Sequence, residues 1–209
     1  MRSFILAFGF IILYGLVYAQ NAEIKRLNAK AWEIKFNEPE KAMAETDSAL
    51  KLALGKEIPE LIETYKIRGV VNLLTGKNIE AIQEFTEALR LANLYTDSLA
   101  IGKIKNNLGT VYRQLANYKE AVRYSYESLQ IMESLNNNEG MIAAYSNLGN
   151  VYSAQENYSK AIEFYERAIR LSEKNKNTSI NNLASLKSDL AAAYKNDNKP
   201  QKSIQYFNE

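Results

Sequence analysis

Between Ser98 and Leu135 the chain sets apolar and small residues three or four positions apart in two successive runs. Leu108, Val111 and Tyr112 mark one face of the first run. Ala121, Val122, Tyr124, Ser125, Ser128, Leu129 and Met132 mark one face of the second. This is the period of amphipathic helices, so the pattern predicts a helix A over roughly Ser98–Gln114 and a helix B over roughly Tyr118–Leu135, with Leu115-Ala116-Asn117 as the turn. The same pattern returns forty positions later, where Asn147-Leu148-Gly149-Asn150-Val151-Tyr152 repeats Asn107-Leu108-Gly109-Thr110-Val111-Tyr112. A stacked array of helical hairpins builds an extended surface rather than a closed pocket, which makes binding the first expectation of function.

The register extends in both directions. A second unit carries Gly69 on helix A, the turn Gly76-Lys77-Asn78, then Ala81, Phe85 and Ala88 on helix B; Arg68 and Asn72 stand where other units have Leu and Tyr. In the first unit Ala31 lies on helix A, Pro39 opens helix B, and Ala42 and Ala49 mark its packing face. A fifth unit starts at Asp189-Leu190-Ala191-Ala192-Ala193-Tyr194, turns at Asp197-Asn198-Lys199, and reaches Glu209 within its second helix. Because arrays need a capping helix, a continuation of the chain is expected there. The spacer Lys174–Asn182 is two residues longer than its counterparts and reads as a longer loop, since Tyr152 to Tyr194 is 42 positions and Tyr112 to Tyr152 is 40. The expected fold is all-α: a solenoid of antiparallel helix pairs over 20–55, 60–94, 98–135, 138–174 and 181–209, the last unit incomplete. Recurring Tyr112, Tyr152, Tyr118 and Tyr158 are read as packing residues, and Trp32 as a cover for the open end of the stack.

These residues resemble the tetratricopeptide repeat family, which implies a right-handed superhelical solenoid. Leu148, Gly149, Tyr152, Ala161, Tyr165 and Ala168 fill all of that family's packing positions, whereas the third unit departs with Ser125 and Ser128 and moves its aromatics to Tyr124 and Tyr126. The usual repeat is about 34 residues. The longer spacing here resembles the subclass of kinesin light chains, Pins-type polarity scaffolds and bacterial peptide-sensing regulators. The motif residues hold helices together and do not name a ligand.

Composition narrows the chemistry. Lys+Arg 26 against Asp+Glu 24 leaves a formal +2, with no electrostatic case for nucleic-acid binding. There is no His and no Cys, so imidazole bases, thiolate nucleophiles, disulfides and tetrahedral zinc clusters are excluded, as is a lipid-bearing Cys. Glu80, Glu84 and Glu87 read as a solvated helix face. With no calcium-loop, phosphate-loop or nucleophile-elbow motif, neither an enzyme, a cofactor nor a metal is expected.

The N-terminus bears on location. Arg2 precedes an apolar run from Phe4 to Val17, and Val17-Tyr18-Ala19 ends in small residues suited to signal-peptide cleavage after Ala19. A cleaved leader and an uncleaved N-terminal anchor both fit this segment. Either places the chain from about Gln20 outside the cytoplasm, in the periplasm or an equivalent compartment. Membrane attachment is expected only through that N-terminus or through a segment beyond Glu209.

The resemblance implies a concave groove lined by helix A. The residues at those positions are Lys66 in the second unit; Lys103, Asn106, Asn107, Thr110 and Arg113 in the third; and Ser146, Asn147 and Asn150 in the fourth. Asn107 and Asn147 can donate and accept together, which suits the backbone of an extended peptide. They equally suit hydrogen bonding between neighbouring helices. Lys66, Lys103 and Arg113 would favour an acidic segment. A chaperone-type carboxylate clamp is incomplete: Lys66 and Asn107 match two of its elements, but Val70, Ala143 and Asn147 replace the others. The expected partner is a protein or peptide. Two roles stand: the sensory front of a signalling protein resembling bacterial sensor kinases and regulators, and a freestanding envelope or secretion adaptor.

Overall fold

The computed structural model describes residues 2–55, 58–174 and 180–208, with side chains from residue 15 onward apart from 16, 180, 181 and 208. Every regular element among the described residues is a helix: α1 (Arg2–Ile34), α2 (Pro39–Leu52), α3 (Glu60–Leu74), α4 (Asn78–Leu94), α5 (Ser98–Gln114), α6 (Tyr118–Ser134), α7 (Asn138–Ala154), α8 (Tyr158–Lys174), α9 (Ile180–Asn196) and α10 (Pro200–Asn208). They form two compact units, Met1–Thr96 and Asp97–Glu209.

In the first unit α1 packs on α2 and α3, and α3 on α4. Ala31, Ala42, Ile67 and Val71 form a buried cluster, with Ile34 and Met43 against it. Small side chains at Ala31 and Ala42 let the helices approach, and Phe85 on α4 is fully buried against Gly69 of α3. Burying a Phe contributes roughly 2–3 kcal/mol. Arg68, which takes the usual Leu position, bonds Glu84 of α4 at 2.8 Å, Thr46 of α2 at 3.3 Å and Asp47 of α2. One guanidinium thus ties three helices where an apolar side chain would have joined two.

In the second unit α5 pairs with α6, α7 with α8, and α9 with α10, while α6 meets α7 and α8 meets α9. The main cluster runs through Ala161, Tyr165, Ala168, Leu190 and Tyr194. The recurring helix-A tyrosines pack on the aromatics of their own hairpin: Tyr112 stacks on Tyr124 at 5.4 Å, Tyr152 on Phe164 at 5.5 Å and Tyr194 on Tyr206 at 5.7 Å between centroids. Such offset pairs contribute about 1 kcal/mol beyond the area they bury.

Close approach explains the glycine of helix A. A Cβ at Gly149 would lie 2.6 Å from the Tyr165 ring, as one at Gly69 would lie 2.5 Å from Phe85. In the third unit Ser125 takes the place of that aromatic. The vacated volume above Gly109 is filled by the Ser125 hydroxyl and by the side-chain amide of Asn147, 2.5 and 2.9 Å from where a Cβ would stand.

The hairpin turns share one geometry. Gly76, Ala116, Glu156 and Asn198 all adopt positive φ, at 75°, 55°, 60° and 56°. The N–H of the following residue returns to a carbonyl five positions back, as in Asn117 to Tyr112 and Asn157 to Tyr152, both 2.9 Å. This closes the helix in the manner of a Schellman motif. The residue that ends each turn then caps the next helix where it is Asn: Asn117 accepts from the Glu120 N–H at 3.4 Å and Asn157 from Lys160 at 3.3 Å.

The leader expected over residues 1–19 falls largely on side chains outside the described residues, and most of the long spacer Lys174–Asn182 lies outside them too. Among the described residues no helix is long and apolar enough to cross a membrane.

Candidate functional site

Successive A helices lie side by side within each unit, α1 beside α3 and α5 beside α7, so their shared face is the place to look for a ligand. Fourteen positions before the small residue of helix B (Ala42, Ala81, Ala121, Ala161 and Ser203) stand Asn28, Ile67, Asn107, Asn147 and Asp189. Two of these amides are consumed by the fold. Asn28, 4% exposed, donates to the Glu60 carbonyl of α3 at 3.1 Å and accepts from the Thr64 hydroxyl at 2.9 Å. Asn147, also 4% exposed, donates to the Asn106 carbonyl at 2.9 Å and to Ser125 at 3.1 Å, and accepts from Thr110 at 3.2 Å.

Of the two readings of Asn147, peptide contact and bonding between neighbouring helices, these hydrogen bonds favour the second: the amide ties α5, α6 and α7 together. Asn106 and Thr110 are half-buried members of the same network. Asn107 is half-buried on α5, Lys103 is exposed, and Ser146 is half-buried on α7. Lys66 belongs to the first unit, where its ammonium pairs with Glu63.

A more suggestive group gathers farther along α5 and α7. The Tyr165 hydroxyl of α8 donates to Asn150 Oδ1 at 2.7 Å. Arg113, half-buried on α5, has its Nε buried with no hydrogen-bond partner. Burial pushes the Tyr165 phenol well above its ordinary range, the Asp189 charge adds to that, and Arg113 opposes it. Burial likewise raises the Asp189 carboxyl, with Arg113 pulling it down. A guanidinium, an amide, a phenol and a carboxyl thus share one electrostatic neighbourhood, presenting both donors and acceptors. Of these, Arg113 and Asn150 are legible from repeat position; Tyr165 is hidden in the sequence because it also fills a packing position.

The first unit holds a feature that repeat position did not reveal. Trp32 does not cover an end of the stack. It lies one turn beyond Asn28 on the side of α1 that faces α3, is 44% exposed, and lines a cavity of about 330 Å³ with Lys25, Asn28, Ala29, Glu60 and Glu63. The Lys35 ammonium sits 3.5 Å from the Trp32 ring centroid and donates to the Trp32 carbonyl at 2.7 Å.

No curated protein matches the sequence. Among solved structures the fold is similar to BtubC (BKLC) from P. vanneervenii, at 21% identity and TM-score 0.71, covering 91% of this chain and 88% of that one. The apo form of RapI is similar at 18% identity and TM-score 0.74, with coverage of 89% and 68%. So is the Signal Transduction ATPase with Numerous Domains from Pyrococcus horikoshii, a protein with a tetratricopeptide repeat sensor, at 17% and TM-score 0.72, with coverage of 89% and 30%. The tetratricopeptide repeat model matches residues 60–133 and 100–174, more than half of the 209 residues. With its paired helices, small-residue contacts and shared turn geometry, the chain belongs to the tetratricopeptide repeat family.

Proposed function

We propose that this chain is an exported interaction module that binds a peptide or protein partner along its helix-A faces, as the sensory or scaffold part of a signalling protein. Tetratricopeptide repeats serve protein–protein interaction and scaffold roles and are in general not catalytic. The observation that carries the reading is Arg113: a half-buried guanidinium whose charge acts on both Tyr165 and Asp189, with Asn150 bonded to the Tyr165 hydroxyl. A half-buried guanidinium on this face would donate to ligand carbonyls. An extended peptide offers such carbonyls, alternating with N–H groups that suit the acceptors nearby. Export rests on Arg2, the apolar run to Val17 and the small residues at its end. Support for the signalling role comes from the likeness to the Signal Transduction ATPase with Numerous Domains, which has a tetratricopeptide repeat sensor.

A peptide array probed with the full chain tests the binding claim. Peptides bound by the wild type are expected to lose tenfold or more in affinity for Arg113→Ala/Asn150→Ala with helical content unchanged. Equal affinity would remove this face from the function. A fusion of residues 1–30 to a reporter active only outside the cytoplasm tests export, and an inactive fusion would refute it. An open reading frame past codon 209 with an apolar span of about twenty residues supports the sensor; an immediate stop codon in the intact gene favours the adaptor.

A further inference from the structure

The groove between α7 and α8 of the fourth repeat differs in charge from its counterparts. It encloses about 280 Å³ and is lined by Met141 and Tyr145 of α7 and by Arg167, Arg170, Leu171 and Lys174 of α8. Met141, Tyr145 and Leu171 are half-buried and supply its apolar part, while the three cations are exposed. Arg167, Arg170 and Lys174 recur at three- and four-residue spacing, so one face of α8 carries them all. Forty positions before the two Arg stand Glu127 and Gln130, and the Glu127 carboxylate pairs with Lys105 of α5. Eighty positions before them stand Glu87 and Arg90, which pair with each other. Of these three repeats, the fourth alone sets two Arg at these positions.

Four carboxylates lie near this groove without lining it. Glu163 pairs with Arg167, and Glu166 pairs with Arg170 at 3.4 Å and accepts from the Tyr194 hydroxyl at 2.7 Å. Glu133 of α6 accepts from the Tyr145 hydroxyl at 3.4 Å, and Glu173 stands about 100° around α8 from Lys174. Exposed ion pairs of this kind are weak, so another anion can displace them. Each guanidinium has five donors in a planar fork, and these pairs take one nitrogen of each Arg. Lys174 makes no ion pair among the described residues.

The occupant follows from this chemistry. Three cations around an apolar hollow attract an anion, and guanidinium forks match carboxylates in geometry. The hollow has room for an apolar side chain, which a phosphate backbone or a lipid headgroup would leave empty. We propose that this groove docks an acidic peptide segment of a protein partner, with one apolar side chain seated on Met141 and Leu171 and flanking carboxylates on Arg167, Arg170 and Lys174. The surface is separate from the helix-A face described above. Asn150 comes nine residues, or about two and a half turns, after Met141 and so stands on the opposite side of α7. The two readings therefore stand or fall separately.

Met141 lines the groove, whereas Met43 belongs to the first compact unit and Met132 is only 1% exposed. With the methionine methyls of the full chain labelled with carbon-13, the Met141 signal, assigned through Met141→Leu, reports occupancy by nuclear magnetic resonance. Titration with acetyl-Glu-Glu-Leu-Glu-Glu-amide is expected to shift that signal saturably and leave Met43 in place. The same peptide with Gln for each Glu should bind about tenfold more weakly, the loss that removing two or three exposed charge pairs brings. Arg167→Glu/Arg170→Gln installs the residues of the third repeat. Checked by circular dichroism for intact helix, it should weaken the acidic peptide about tenfold and leave the glutamine peptide unchanged. No saturable Met141 shift, equal affinity for the two peptides, or undiminished acidic-peptide affinity in the variant would each overturn the proposal. So would a Met141 shift caused by oligodeoxythymidylate or phosphatidylglycerol vesicles and not by the acidic peptide. The two peptides on the wild type decide the charge claim even where the variant fails to fold.

Discussion

Asn147→Ala is the sharpest test of how the third and fourth repeats are joined. The buried amide bonds the Asn106 carbonyl and Ser125 and accepts from Thr110, at 2.9 to 3.2 Å, with a longer contact of 3.4 Å to the Asn106 side-chain oxygen. Each is worth about 1 kcal/mol net. The partners do not become orphans: Ser125 still donates to the Ala121 carbonyl at 2.8 Å, and Thr110 can still reach the Asn106 carbonyl at 3.3 Å. The full desolvation penalty is therefore avoided. Adding the small cavity above Gly109, we expect a loss of about 2–3 kcal/mol. Urea unfolding followed by far-ultraviolet circular dichroism measures it. The same site allows a coupled test. Ser125→Phe alone should destabilise, because the ring would enter the volume that Asn147 occupies. Combined with Asn147→Ala it restores the Phe85-on-Gly69 arrangement of the second unit, so the pair should show a favourable coupling of about 1 kcal/mol or more. An Asn147→Ala loss below about 0.5 kcal/mol would refute this reasoning, since water would then be replacing the amide's partners and the side chain would return to the candidate ligand surface.

Gly149→Ala places a methyl 2.6 Å from the Tyr165 ring and should cost about 1–3 kcal/mol in the same unfolding assay. Ala116→Gly relieves a left-handed residue at φ 55° and should raise stability by up to ~1 kcal/mol, visible as a higher urea midpoint with an unchanged slope. For Asp189, burial raises the folded carboxyl above its unfolded value, so the folded state holds the proton more tightly. Its contribution is present below the unfolded pKa and is lost as pH rises through the folded one. Asp189→Asn should therefore stabilise at neutral pH and have little effect in acid. A variant equally or more stabilising at low pH would contradict this.

Periodicity alone determined most of the fold. Apolar spacing of three to four residues fixed helix, recurrence at forty positions fixed the hairpin as the unit, and small residues at Gly69, Gly109 and Gly149 announced close contact, because these are local or repeated properties that need no knowledge of neighbours. The tertiary structure decided which polar side chains remain available. Asn147 reads identically to a groove residue in the sequence; it is buried because Ser125, twenty-two positions earlier, is too small to fill its own site. Arg113 gains interest only from Tyr165 and Asp189, on which its charge acts, and Asp189 only from its burial near that cation. The sequence alone does not place Trp32, because a lone Trp carries no repeat signature. Its pocket depends on α3 coming alongside α1, and a cavity of that kind exists only once distant segments have met.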